Sequence, residues 1–93
     1  MTTLKVAHVR EQGIDLIICP LDDSFDHKGA DDQRRAVSEI QLRSRSAGLA
    51  GTVVPVWNSG GRMAFLAPTN WHAFFQSISI EWVWSNVNRQ LSW

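Results

Sequence analysis

Ninety-three residues suit one domain, and at that size folding removes only ~60 to 65% of the unfolded chain's surface from water, so the core is limited. Nine Lys/Arg cancel nine Asp/Glu, which excludes a global field drawing the chain to nucleic acid, an anionic membrane or acidic substrates. The single cysteine, Cys19, excludes an internal disulfide and favours a reduced, cytoplasmic setting over a secreted one.

The N-terminal MTTLKVAHVREQG lacks a continuous apolar run, so no signal peptide is expected. Leu4 to Arg10 alternates imperfectly, as a half-buried strand does, and Glu11-Gln12-Gly13 turns it. Ile14 to Leu21 then runs through Leu16, Ile17, Ile18 and Cys19 without a polar break, which predicts a central strand covered on both faces.

Asp22 to Asp32 is a polar loop with five aspartates, and Asp31 or Asp32 is the expected N-cap of a helix running to about Ala47. Steps of 100° put Ala36, Val37, Ile40, Ser44 and Ala47 on the arc facing the sheet and Leu42 nearly opposite, exposed or in a subunit contact. Gly48 followed by Leu49 resembles a glycine C-cap with its hydrophobic partner.

Gly51 to Pro68, GTVVPVWNSGGRMAFLAP, reads as a hairpin: Thr52 to Trp57 and Arg62 to Ala67 are the strands and Asn58-Ser59-Gly60-Gly61 the turn. Pro55 has no N–H for a ladder bond, which places its strand at a sheet edge or a bulge. After Pro68, Thr69 or Asn70 can cap a short helix with Trp71, His72, Phe74 and Phe75. Ser79 can cap another running to about Gln90, along which Ile80, Val83, Trp84, Val87 and Leu91 keep helical spacing. Residues 78–84 also alternate strictly and could instead form a fifth strand. The helical pattern is preferred because it continues through Val87 and Leu91.

These elements predict a single α+β domain over residues 1–93 in the order β-β-α-β-β-α. Its four-stranded, mainly antiparallel sheet has order 1-2-4-3, with Pro55 at an edge, one helix on a face, and aromatic-rich C-terminal helices on the other face or on a second subunit.

Candidate chemistry is sparse. Asp22, Asp23 and His27 could support acid/base catalysis beside a pocket, but no nucleophile is visible, and aspartates between a strand and a helix ordinarily serve turns and caps. The loop lacks the D-x-D-x-D-G order of a calcium site, so no metal is expected. Trp57, Trp71 and His72 are candidate ligand-binding residues, an indole face holding a planar group while the imidazole bonds its polar edge, although aromatics at helical spacing commonly belong to a core. Asn58 to Arg62 could cradle an anion, but a hairpin turn explains it. Arg34, Arg35, Arg43 and Arg45 spread around their helix and mix with Glu39, so no nucleic-acid partner is expected. Met63 to Ile80 is uncharged but carries too many polar groups to span a membrane. The common nucleotide, zinc and serine-hydrolase motifs are absent, and no cofactor is implied.

The C-terminal half stands out: after residue 50 only Arg62, Glu81 and Arg89 are charged, while eight of the nine aromatics lie there. Tryptophan is enriched at interface centres, where Lys, Glu and Asp are depleted, so a homo-oligomer using Phe74, Trp82, Trp84 and Trp93 is expected. The runs IICPLDDSF, AGLAGTVVPVWNSGGRMAFLAP and WHAFFQSISIEWVWSNVNRQLSW resemble a group of small uncharacterised bacterial proteins, some associated with mobile integron-type gene cassettes. That resemblance implies a bacterial cytoplasmic protein, often oligomeric, and transfers no functional residue. The reading is a non-enzymatic homo-oligomer binding a protein or small ligand in a cleft lined by tryptophan and His72, with an enzyme based on Asp22, Asp23 and His27 as the alternative and an inhibitor of another protein as a third class.

Overall fold

The structure, a computed structural model, describes residues 3–93. Its strands are β1 (Thr3–Glu11), β2 (Ile14–Pro20), β3 (Thr52–Ser59), β4 (Arg62–Phe65) and β5 (Arg89–Ser92), and its helices are α1 (Ala30–Ser46), α2 (His72–Ser77) and α3 (Ile80–Ser85). The strands form one sheet in the order β4-β3-β2-β1-β5, antiparallel except where β2 and β3 run parallel. The unbroken apolar run of β2 is central, as expected: Leu16 and Ile18 enter the core on one face, Ile17 and Cys19 the core on the other.

The predicted order 1-2-4-3 is corrected. α1 connects β2 to β3, and that crossover makes the two strands parallel neighbours, so β3 lies inside the sheet between β2 and β4. Pro55 is therefore buried rather than at an edge. Its carbonyl accepts from the Leu66 N–H at 3.2 Å, which directs its nitrogen toward β4, and β4 ends at Phe65. The proline thus spends its missing donor where the β3–β4 ladder runs out. On the other side of the same strand the Val56 carbonyl accepts from Leu21 at 2.8 Å. The turn is tighter than expected: Ser59 pairs with Arg62, leaving Gly60 and Gly61, both at positive φ, as its two central residues, the requirement of a type I′ hairpin.

Gly29 is the N-cap residue of α1 and supplies no side-chain cap, in place of the predicted Asp31 or Asp32. Those aspartates occupy the first turn, where carboxylates oppose the positive end of the helix dipole. Ile40 and Ser44 are buried against the sheet, Ala36 and Val37 are half-buried, and Ala47, predicted on the same arc, is exposed at the C-cap. Leu42 is 59% exposed on the outer face. The helix closes in a full Schellman motif, Leu49 N–H to Ser44 O (2.9 Å) and Gly48 N–H to Arg45 O (3.0 Å), and Leu49 folds onto the α1-side core.

α2 and α3 cover the opposite face. A 3-10 turn at Thr69–Trp71 leads into α2, and neither Thr69 nor Asn70 caps it with a side chain. Ser79 does cap α3, its hydroxyl accepting from the Trp82 N–H at 3.2 Å. Residues 80–85 are helical, as preferred over a strand at 78–84, but α3 stops at Ser85 rather than near Gln90, and residues 89–92 form a fifth strand that the four-stranded expectation lacked. Val83 belongs to the core beneath α3 and Leu91 to the core beneath α1, so the sheet separates positions that a continuous helix would have kept on one stripe.

Candidate functional site

β4 and the corner between α2 and α3 enclose a groove of about 870 Å³. Met63, Phe65, Phe75, Ile78 and Ile80 supply apolar lining, with Asn58, Arg62, Gln76, Ser79 and Glu81 among its polar groups. Met63 and Phe65 reach it because alternate side chains of β4 share the face of Val56, with which Phe65 is paired. Ile78 and Ile80 reach it because the chain passes through the extended residues Ile78 and Ser79 between the two helices. Arg62 and Glu81 bring opposite charge, and neither forms an ion pair among the described residues.

The backbone of β4 is as informative as its side chains. The Leu66-to-Pro55 bond sets the alternation of the ladder: Arg62, Ala64 and Leu66 turn their amides toward β3, and Met63 and Phe65 turn theirs outward. Among the described residues no strand pairs with this outer edge of β4, which borders an apolar groove, the arrangement used in recognition by strand addition. This site leaves little local trace in the sequence. Its signal was the alternation of Met63 and Phe65, but the opposing wall comes from residues 78–81, and nothing local to either stretch specifies their meeting.

The predicted ligand-binding residues are not brought together. Trp57 is buried on the α1 side beneath the 3-10 turn Asp23–His27, its ring 4.8 Å from Phe25 and its Nε1–H donating to Asp26 Oδ1 at 3.0 Å. Trp71 is buried in the opposite core, edge-on to Phe74 at 5.7 Å. His72 is exposed beside the groove, edge-on to Phe65 at 5.5 Å with Nε2 3.0 Å from the Ala67 carbonyl oxygen. The sheet therefore lies between Trp57 and the other two.

The predicted interface residues divide in the same way. Phe74 and Trp82 pack edge-on at 6.0 Å, half-buried over the α2/α3-side core, and Trp84 is 52% exposed on α3. Trp93 joins the α1-side core instead, with the Arg43 guanidinium 5.5 Å from its ring centroid. Much of the aromatic surface is thus covered within one molecule. The radius of gyration, 12.4 Å, matches the ~12 Å of a compact chain of this length.

The acidic loop is exposed, and Asp22 and Asp26 serve local structure. Asp22 caps the 3-10 turn by accepting from the Ser24 N–H at 2.9 Å, and this hydrogen bond holds its carboxyl below the ordinary value. The Trp57 indole does the same for Asp26. Among the described residues no cluster of His, Cys, Asp and Glu could hold a metal ion, and no helix is long and apolar enough to cross a membrane. Burial pushes the Cys19 thiol up to about 12, far from a nucleophilic thiolate at neutral pH. Arg34, Arg35 and Arg43 each face a carboxylate of their own helix, Asp31, Asp32 and Glu39.

Comparison of the chain with known protein families, with curated proteins and with solved structures found no match.

Proposed function

We propose that this chain is a non-enzymatic interaction protein that self-associates through its C-terminal half, with the groove beside β4 as the contact surface. The observation carrying this reading is the coincidence of an unpaired strand edge with an apolar groove lined by Met63, Phe65, Ile78 and Ile80. Interfaces are apolar at the centre and polar at the rim, and this groove has that composition. The alternative, an enzyme using Asp22, Asp23 and His27, draws less support: Asp22 is committed to a cap, and none of the three lines the groove.

Light scattering coupled to gel filtration across the micromolar range tests the reading. The wild type should exceed the monomer mass, Met63→Glu in the groove should lower it to the monomer, and Leu42→Glu on the outer face of α1 should leave it unchanged. A monomer throughout the range, with the fold intact by circular dichroism, would reject the proposal.

A further inference from the structure

The geometry points to a second copy of this chain as the occupant of the β4 edge, paired antiparallel about a two-fold axis through Ala64, so that two sheets continue into one. This inference rests on the self-association proposed above and specifies its register. Backbone phase selects that register. Met63 and Phe65 carry the outward N–H and C=O groups, and they stand on either side of Ala64. With Ala64 opposite its symmetry mate, Met63 of one copy faces Phe65 of the other, and each exchanges both backbone bonds with its counterpart. Placing the axis at Met63 or at Phe65 instead leaves the outward groups of the other residue without β4 partners.

The side chains agree with the same axis. A two-fold perpendicular to the sheet keeps corresponding faces together, so Met63 and Phe65 of each copy form one apolar row between the two grooves. Arg62 is the only charge on β4, and this register sets it opposite Leu66, which is 38% exposed in the monomer. An arginine stem can cover that leucine while its guanidinium stays in water. The two arginines fall at opposite ends of the ladder, roughly 14 Å apart along the strands, so like charges do not confront each other at contact distance. The other free edge, β5, carries Gln90 and Ser92, both exposed and polar, and lacks an apolar row of this kind.

Cysteine scanning under mild oxidation reads the register directly. At the non-hydrogen-bonded position on the axis the Cα atoms lie about 4.5 Å apart, within the span a disulfide tolerates. Cys19 is buried and does not compete. Ala64→Cys should convert most of the protein to a covalent dimer on non-reducing gels, with Met63→Cys, Phe65→Cys and the exposed control Ser85→Cys giving little. If light scattering shows an assembly but cross-linking peaks away from position 64, or fails there with the fold intact, this register is wrong and the self-association reading stands. A wild type that remains monomeric removes both.

Discussion

The side-chain amide of Asn88 replaces a strand residue opposite His8. Its Oδ1 accepts from the His8 N–H at 2.9 Å and its Nδ2 donates to the His8 carbonyl at 2.9 Å, so β1 gains a rung just before β5 begins. The Asn88 N–H also donates to the Val6 carbonyl at 3.1 Å, so one residue joins the loop after α3 to two positions of β1. Asn88→Ala should destabilise the fold by about 1 kcal/mol, since water can reach both freed groups, and lower Tm by roughly 4 to 8 °C. Asn88→Asp should cost at least as much, because its second oxygen would face the His8 carbonyl. Urea melts of both variants decide this, and an aspartate that matches wild type would remove the ladder role.

Pro55 occupies an interior strand because its nitrogen faces the end of β4. Pro55→Ala should therefore gain no important ladder bond and change stability by less than about 1 kcal/mol, mainly through the freer unfolded chain. Val54→Pro, one residue earlier and directed toward β2, should cost about 3 kcal/mol or more by removing a donor from the parallel ladder. Similar denaturation midpoints for the two variants would contradict the assigned phase.

What could be read before the structure was local. Gly60-Gly61 marked the hairpin, Ser79 its helix start, Gly48-Leu49 a helix end, and the unbroken β2 run a strand buried on both faces, because each signal acts over a few residues. Strand order was not local. The missing donor of Pro55 does not by itself place its strand, because that donor's direction depends on where β4 ends. Trp57 and Trp71 looked like parts of one aromatic cluster, but strand alternation sends Trp57 to the α1 side while Trp71 enters with the helices on the other. The groove shares that difficulty, since its two walls come from β4 and from a helix corner whose position the sheet sets.

The bond from Trp57 to Asp26 predicts an acid-range effect. Its carboxyl ionises at lower pH in the folded protein than in the unfolded chain, chiefly because the indole N–H favours the charged form. The bond therefore adds stability above about pH 4, where the unfolded Asp26 is ionised, and loses it as pH falls through the folded value. Asp26→Asn should lower the urea midpoint most at neutral pH, and the gap from wild type should narrow on acidification. A gap that stays constant or widens would disprove this linkage.

Phe75 and Trp84 separate core from surface on the same helical layer. Phe75 is 1% exposed and packs against Phe65 and Phe74, so Phe75→Ala should cost roughly 3 to 5 kcal/mol through lost burial and the cavity it leaves. Trp84→Ala should change stability by no more than about 0.5 kcal/mol. Equilibrium unfolding at low protein concentration isolates the monomer contribution, and a Trp84→Ala loss as large as that of Phe75→Ala would show the ring to be packed.

Ser44 carries the opposite expectation. Its hydroxyl is fully buried on the sheet-facing side of α1 and has no hydrogen-bond partner among the described residues, so folding strips it of water without replacement. The Ser44 carbonyl is what holds Leu49 in the Schellman closure, and a side-chain change leaves that bond intact. Alanine also has the higher helix propensity. Ser44→Ala should therefore stabilise the protein by about 1 kcal/mol, read as a higher urea midpoint with an unchanged slope. A loss of similar size would mean that the hydroxyl has a partner in solution.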